Sequence, residues 1–301
     1  MPVFPAIGLG CASLGKPQVS DAEAVGTMLA ALEGGIAYLD TAPLYGCGLS
    51  ERRVGAALRR WQGPRPLVST KAGYVIDGPE GGYLPVDRRR HDFSRTAIRA
   101  GFSASLDRLG LDRVDLVSLH DPVGQIEAAA EGFAALAELR DEGLVSAIGI
   151  GTNSAETAVE LLTRCPLDAV LIAGRFSLLD RRAGVVLLPL CAGRGVQVIV
   201  GGVFNSGLLA APEAEAATFE YAPASVALVG KAREMAAAAG RHGVSLRTAA
   251  LQFAGRHMGV GTTLIGPASR AELAENLVDL AAPVPQALWA QLDTLAARDA
   301  L

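Results

Sequence analysis

The chain has 301 residues, 27 basic against 31 acidic side chains, a formal net charge of −4 and a hydrophobic fraction of 50%. This composition excludes a dominantly disordered chain, which would be polar and highly charged. It also excludes a basic protein that grips nucleic acid through its phosphates.

Cys11, Cys47, Cys165 and Cys191 are widely spaced and form no CxxC pair. That argues against a zinc module and reads as reduced thiols in a cytoplasmic protein. No apolar run reaches the ~18 residues of a spanning helix. Met1-Pro2-Val3-Phe4-Pro5 lacks the basic and apolar regions of an export signal. A soluble, unexported protein with no membrane partner is expected.

Short runs rich in Val, Ile and Leu read as strands, and longer periodic segments as helices. A strand over Ala6–Gly10 leads to a helix over Asp21–Glu33, opened by a Ser20/Glu23 capping box and ended by Gly34-Gly35. A strand over Ala37–Thr41 precedes a helix over Glu51–Arg60, capped by Ser50. Leu67–Lys71 is a strand; Arg95–Leu109 is a helix between Ser94 and Gly110. Val114–His120 is a strand, and Gln125–Asp141 a helix stopped at Gly143. Strand Ser146–Gly151, helix Ala155–Thr163, strand Ala169–Ala173, a short helix near Val186–Gly193 and strand Gln197–Gly202 follow. Then come helix Val226–Ala239, an additional helix over Leu246–His257, and the last strand, Thr262–Gly266. Helix Arg270–Leu280 starts at a second capping box, Ser269/Glu272, and Gln286–Ala297 closes the chain.

Near-continuous apolar strands are buried on both faces, as parallel strands are. Their alternation with helices implies an α/β protein with a parallel sheet. Eight such units over 1–301 imply one domain, a closed (β/α)8 TIM barrel. The alternative, an open doubly wound sheet, wants GxGxxG after the first strand; Gly8-Leu9-Gly10-Cys11-Ala12-Ser13 lacks the third glycine. Two connections, Ala72–Asp92 and Val203–Ala224, are long and follow strand C-termini. They read as lids for substrate and cofactor over the face where barrels place their chemistry.

At that face, Asp40 ends the second strand, Lys71 the third and His120 the fourth, with Tyr45 five residues past Asp40. Each alone has an ordinary explanation: a turn, an exposed aromatic, a solvated strand end, a capped carbonyl. Together, at neighbouring strand ends, they suggest proton transfer. A free tyrosine ionises near pH ~10, and an adjacent ammonium favours its phenolate. Asp40 would hold Lys71, Tyr45 would act as general acid/base and His120 would orient a substrate oxygen. No metal is required, since no second histidine accompanies Asp40 and His120 at a useful spacing.

The run Tyr38-Leu39-Asp40-Thr41-Ala42-Pro43-Leu44-Tyr45-Gly46 resembles the Asp–Tyr signature of the aldo-keto reductases. Ser69-Thr70-Lys71 is similar to their lysine strand and Asp115–His120 to their histidine strand. The likeness extends through Ala147–Asn153 to Ile265-Gly266 and Glu275-Asn276. The resemblance implies a (β/α)8 barrel, a nicotinamide cofactor without a Rossmann domain, and the catalytic set Asp40, Tyr45, Lys71 and His120. Leu119-His120-Asp121-Pro122, Gly174–Asp180 and Phe204–Leu209 look like the aldose 1-dehydrogenases, with pyridoxal 4-dehydrogenase nearby. That subgroup implies oxidation of a cyclic sugar at C1 to a lactone. Pyridoxal or a general aldehyde is the alternative substrate.

The resemblance also assigns cofactor contacts. Thr152 and Asn153 stand where the family's carboxamide-binding Ser-Asn pair would be. Val200-Gly201-Gly202-Val203 lacks the family's nicotinamide-stacking tyrosine, which Phe204 would replace, and Ala173 stands in place of its glutamine. Asn205, Ser206, Gly207 and Leu208 offer small residues and free amides for a pyrophosphate. Gly266, Ser269, Arg270, Glu272 and Asn276 surround the last helix N-terminus, where an anion is favoured. Glu272 stands where NADP-dependent members carry arginine, so NAD is expected over NADP, although Glu272 also fits a plain capping box. Two other classes are open: a nucleotide-binding regulatory subunit with little turnover, and a Schiff-base lyase using Lys71. His91, His242 and His257 read as surface or structural, Trp61 and Trp289 as packing, and Arg88-Arg89-Arg90 as a solvated stretch able to attract an anion. No helical seam indicates assembly beyond a monomer or weak dimer.

Overall fold

The computed structural model describes residues 2–220 and 222–298. Eight strands close into a parallel barrel: β1 (Ile7–Gly10), β2 (Tyr38–Asp40), β3 (Leu67–Ala72), β4 (Val114–His120), β5 (Val145–Thr152), β6 (Ala169–Ala173), β7 (Gln197–Gly201) and β10 (Thr262–Ile265). Closure comes from β1 pairing with β10 through Ile7–Thr263, Gly8–Leu264 and Leu9–Ile265, which removes the open-sheet alternative.

The outer helices are α1 (Asp21–Glu33), α2 (Leu49–Arg60), α3 (Arg95–Leu109), α4 (Ile126–Asp141), α5 (Ala155–Arg164), α6 (Leu187–Arg194), α7 (Val226–Arg241), α8 (Leu246–Phe253), α9 (Arg270–Ala281) and α10 (Gln286–Ala297). Two short strands, β8 (Thr218–Phe219) and β9 (Ala222–Pro223), form an antiparallel pair inside the second long connection. No sequence signal marked them, and Tyr221 between them lies outside the described residues. Among the described residues no helix is long and apolar enough to cross a membrane.

Two apolar layers hold the barrel. Phe4, Tyr38, Leu116, Ala147, Ala169, Leu171, Ile199 and Leu264 form a small cluster of their own. A larger layer packs strand residues such as Leu39, Val68, Val117 and Ile148 against helix residues such as Met28, Phe102, Leu136 and Leu161. The Tyr38 ring fills the space beside Gly8, where any Cβ would collide with it.

Three local expectations change. Ser50 does not cap α2; Gly48, at φ 95°, occupies the N-cap. Ser50 is buried in the first turn, where its hydroxyl donates to the Cys11 carbonyl at 2.9 Å and accepts from Thr41 at 2.8 Å. Helix α8 gives way after Phe253 to a 3-10 turn over Ala254–Arg256, so the helix does not run to His257. Ser20 caps α1 through the Glu23 N–H, but the Glu23 carboxylate does not fold back. It accepts instead from the backbone N–H and the guanidinium of Arg270.

Candidate active site

Asp40, Lys71 and His120 come from adjacent strands whose register fixes their direction: Asp40 pairs with Ser69, and Lys71 with Ser118. Lys71 Nζ donates to Asp40 Oδ2 at 2.8 Å and to the Thr41 carbonyl at 2.9 Å. Asp40 Oδ1 accepts from Ser69 at 2.7 Å, and Ser69 is linked in turn to the Tyr38 hydroxyl at 2.8 Å. All four groups are buried, so each ion and hydroxyl is satisfied by another.

Tyr45 reaches this network from the loop after β2. Gly46 turns the chain there at φ 65°, and a Cβ at that position would collide with the Gly15 carbonyl oxygen. The Lys71 ammonium lies 4.7 Å from the Tyr45 ring centre, and its charge acts on the phenol. The His120 ring stands edge-on to Tyr45 with centroids 5.8 Å apart. The structure therefore brings Asp40, Tyr45, Lys71 and His120 to one mouth.

Burial sets the protonation states. It pushes the Tyr45 phenol up to about 12, against the pull of Lys71 and with a further push from Asp40. The ammonium acts in the expected direction, but desolvation outweighs it, so the resting site holds a neutral phenol. Burial would also discharge Lys71, yet the charge and hydrogen bond of Asp40, joined by the Tyr45 phenolate once it forms, outweigh it and hold the amine above its ordinary value. Burial, then the positive charge of Lys71, takes His120 well below the usual histidine value. Its neutral ring has one N–H to donate. A charged, carboxylate-bound Lys71 is a poor nucleophile, which counts against the Schiff-base reading.

Several neighbours carried no sequence signal. His91 is not a bystander: its Nε2 hydrogen-bonds the His120 carbonyl at 3.0 Å, its Nδ1 meets the Gln125 amide at 2.9 Å, and its ring stacks on Tyr74 at 4.0 Å. Tyr74 in turn stands edge-on to His120 at 5.1 Å. The run of three arginines is not uniformly solvated. Arg88 and Arg90 are exposed, but Arg89 is half-buried and its charge is felt at His120.

The expected cofactor residues fall into two groups. In the first, Asn205, Ser206 and Gly207 all have left-handed backbone, at φ 47°, 59° and 98°. Contrary to the expectation of free amides, three of them are occupied. Asn205 N–H donates to Gly202, Gly207 N–H to Phe204 and Leu208 N–H to Asn205. The side chain of Leu208 is core, and that of Asn205 binds Ser177 and the Gly174 carbonyl. Phe204 is half-buried, Thr152 is buried with its hydroxyl accepting the Ser154 N–H, and Asn153 is exposed with its carbonyl on Arg175.

In the second group, Ser269 caps α9 through the Glu272 N–H, and Glu272 Oε2 accepts the Ala268 N–H at 2.8 Å. Arg270 is occupied by Glu23, Asn276 is buried, and Gly266 is exposed. Arg247, which carried no sequence signal, joins the groups: its guanidinium lies 5.9 Å from the Phe204 ring centre and donates to Asn276 Oδ1 at 2.6 Å.

Gly202, Gly207 and Gly266 present exposed backbone along this strip, and nothing lies within 4 Å of where a Gly207 Cβ would stand. The strip suits an extended dinucleotide lying against the main chain, beside an Arg247 guanidinium that is already paired with Asp279 and Glu275, so the residues present fit a nicotinamide cofactor.

Comparison with known proteins agrees with this architecture. The chain is 38% identical to a D-threo-aldose 1-dehydrogenase of Pseudomonas sp, over 96% of this chain and 93% of that one. It is 33% identical to a pyridoxal 4-dehydrogenase of Microbacterium luteolum, over 95% and 92%. It is 31% identical to an L-galactose dehydrogenase of Arabidopsis thaliana, over 90% and 83%. The holo form of an aldo-keto reductase from Bacillus halodurans superposes with a TM-score of 0.80 at 30% identity, covering 96% of this chain and 91% of that one. The sequence profile of the Aldo/keto reductase family matches residues 6–297, and with the (β/α)8 barrel beneath it the chain belongs to that family, whose oxidoreductases use NAD(P)H on small carbonyl substrates.

Proposed function

We propose that the protein is an NAD-dependent aldose 1-dehydrogenase with Tyr45 as its general acid/base. The observation that carries the chemistry is the buried Lys71–Asp40 pair set against the Tyr45 phenol, with neutral His120 beside it. The likeness to the D-threo-aldose 1-dehydrogenase supports the substrate class. When bound, the nicotinamide supplies the hydride acceptor. His120 donates to the anomeric oxygen and fixes its position. Tyr45, as phenolate, takes the hydroxyl proton, and Lys71 stabilises that phenolate. Asp40 keeps Lys71 charged and in place. Loss of hydride from C1 and of the proton from its hydroxyl leaves a lactone.

The test is a panel of L-fucose, L-galactose, D-arabinose, L-glucose, pyridoxal and simple aldehydes, followed by the absorbance of reduced nicotinamide. Aldoses should give the highest kcat/KM. Turnover of pyridoxal alone, or of simple aldehydes alone, would replace the sugar reading.

NAD is expected to be preferred over NADP because the cations near the α9 N-terminus are already neutralised. Arg270 is held by Glu23, and Glu272 places a second carboxylate on the Ala268 amide. A 2′-phosphate would meet negative charge there. An exposed charge contributes only ~0.2–1 kcal/mol, so Glu272→Arg should move the NADP-to-NAD ratio of kcat/KM a few-fold toward NADP. NADP preference in the wild type, or an unmoved ratio in the variant, would reduce Glu272 to a helix cap.

A further inference from the structure

The proton-transfer scheme leaves Asp121, beside the reacting groups, without a task. It follows His120 at the mouth of the barrel, and its backbone is left-handed at φ 47°. A non-glycine residue pays for that conformation and keeps it only where its surroundings dictate it. Here they do. Asp121 N–H donates to the Gly151 carbonyl at 2.8 Å, and the Asp121 carbonyl accepts from Val123 at 2.7 Å.

The turn swings the carboxylate back over the mouth. Oδ2 stands 3.8 Å from His120 Nε2, too long for a hydrogen bond, and 29% of the side chain is exposed. Burial raises the Asp121 carboxyl, and the positive charges of Lys71 and Arg89 pull it back down. Its own charge is felt at both Tyr45 and Tyr74. Arg89, in the first long connection and anchored through the Leu84 carbonyl at 3.0 Å, adds positive charge that acts on His120, Asp121 and Tyr74.

A carboxylate is an acceptor with about four lone-pair sites. Set beside a neutral histidine, it can take a hydroxyl donated by the same small molecule whose oxygen that histidine holds. Arg89 and Asp121 offset each other's charge, so the mouth suits a neutral hydroxylated substrate better than the anion that three arginines in sequence suggested.

We infer that Asp121 is a specificity-determining residue: its carboxylate accepts the hydroxyl on the carbon next to the reacting carbon, with the left-handed turn at residue 121 aiming it there. The inference deepens the aldose reading and rests on it for the identity of the substrate. Asp121 forms no bond to the reacting carbon and moves no proton. It selects substrates that carry the neighbouring hydroxyl.

The experiment compares substrate pairs that differ in that hydroxyl. One pair is L-fucose and 2-deoxy-L-fucose, read as oxidation. The other is D-glyceraldehyde and 3-hydroxypropanal, read as reduction. A hydrogen bond to a charged group predicts that the wild type loses ~10–100-fold in kcat/KM when the neighbouring hydroxyl is absent. In Asp121→Ala that penalty should shrink to a few-fold, because the hydroxylated substrate loses its advantage. A structural defect would slow both members of a pair and leave their ratio unmoved. Asp121→Asn, which keeps the side-chain shape, should retain part of the penalty, and it decides the matter if the alanine variant fails to fold.

An unchanged ratio in the variants overturns the inference. If the wild type oxidises no aldose, the proposed function fails, and the glyceraldehyde pair still decides the role of Asp121. If the wild type shows no hydroxyl penalty in either pair, the inference falls whatever the substrate.

Discussion

Replacing Tyr45 by phenylalanine is expected to lower kcat by ~10²–10⁴-fold, the usual contribution of a positioned general acid/base, with cofactor affinity nearly unchanged. The substitution removes one oxygen and leaves its surroundings in place. Lys71 keeps Asp40 Oδ2 and the Thr41 carbonyl as partners, and the ring can stay edge-on to His120. No residue of the proposed cofactor strip depends on the phenol. The measurement is kcat beside a fluorescence titration of reduced nicotinamide, and wild-type-like turnover in Tyr45→Phe would remove the proposed role.

Lys71→Met supplies the companion pH profile. Burial holds the phenol at about 12 although Lys71 pulls it down, so removing the ammonium raises it further. The alkaline rise in sugar oxidation should move to higher pH and its height should fall. An unshifted profile would mean that Lys71 serves only the fold.

The parts of this molecule legible in its sequence are those governed by local rules. Strand runs such as Val114–His120 are rich in Val and Leu because both faces are buried in the barrel, and a parallel strand end fixes where Asp40, Lys71 and His120 emerge. The helix starts at Ser94, Ser154, Ser225 and Ser245 are all side-chain caps. Of these, only Ser94 reads as a helix start in sequence.

What stayed hidden depends on pairings distant in sequence. Ser50 reads as a cap, but its hydroxyl is drawn to the Cys11 carbonyl across the barrel mouth. His91 reads as surface or structural, and nothing near it in sequence reveals which, because the connection folds back to bridge Tyr74 to His91. The amides of Asn205, Gly207 and Leu208 read as free because composition does not reveal that successive turns consume them. Arg247 carries no motif at all, and Arg175 stands within the Gly174–Asp180 run without a role assigned to it. Arg175 ties Asn153 to Asp180 and Glu220, and Arg247 ties Phe204 to Asn276.

The largest expected effect on stability lies in the pair beneath the phenol. Asp40 is 4% exposed and Lys71 2%. Removing one member of a buried ion pair strands the other charge and costs ~3–5 kcal/mol, whereas apolar replacement of both is often neutral or better. Asp40→Ala should therefore lower the unfolding free energy by about that amount in urea, and Asp40→Ala/Lys71→Met should recover most of it.

The pH dependence has a definite sign. Lys71 is held above its ordinary value in the fold. The stabilisation is therefore fully present below the unfolded lysine value of ~10.4 and fades as pH rises toward the higher folded value. The Tyr45 phenol, at about 12 in the fold, adds a loss in the same direction, because an unfolded tyrosine gives up its proton from pH ~10 upward. Wild-type stability should thus fall steeply above pH ~10, and the double variant should show a shallower alkaline decline, having lost the lysine contribution. If Asp40→Ala costs less than ~1 kcal/mol at neutral pH, or the double variant is no more stable than Asp40→Ala alone, solvent must reach Lys71 and relieve the stranded charge. The same penetration would weaken the hold of the ammonium on the Tyr45 phenolate, since charge interactions decline as the local dielectric rises.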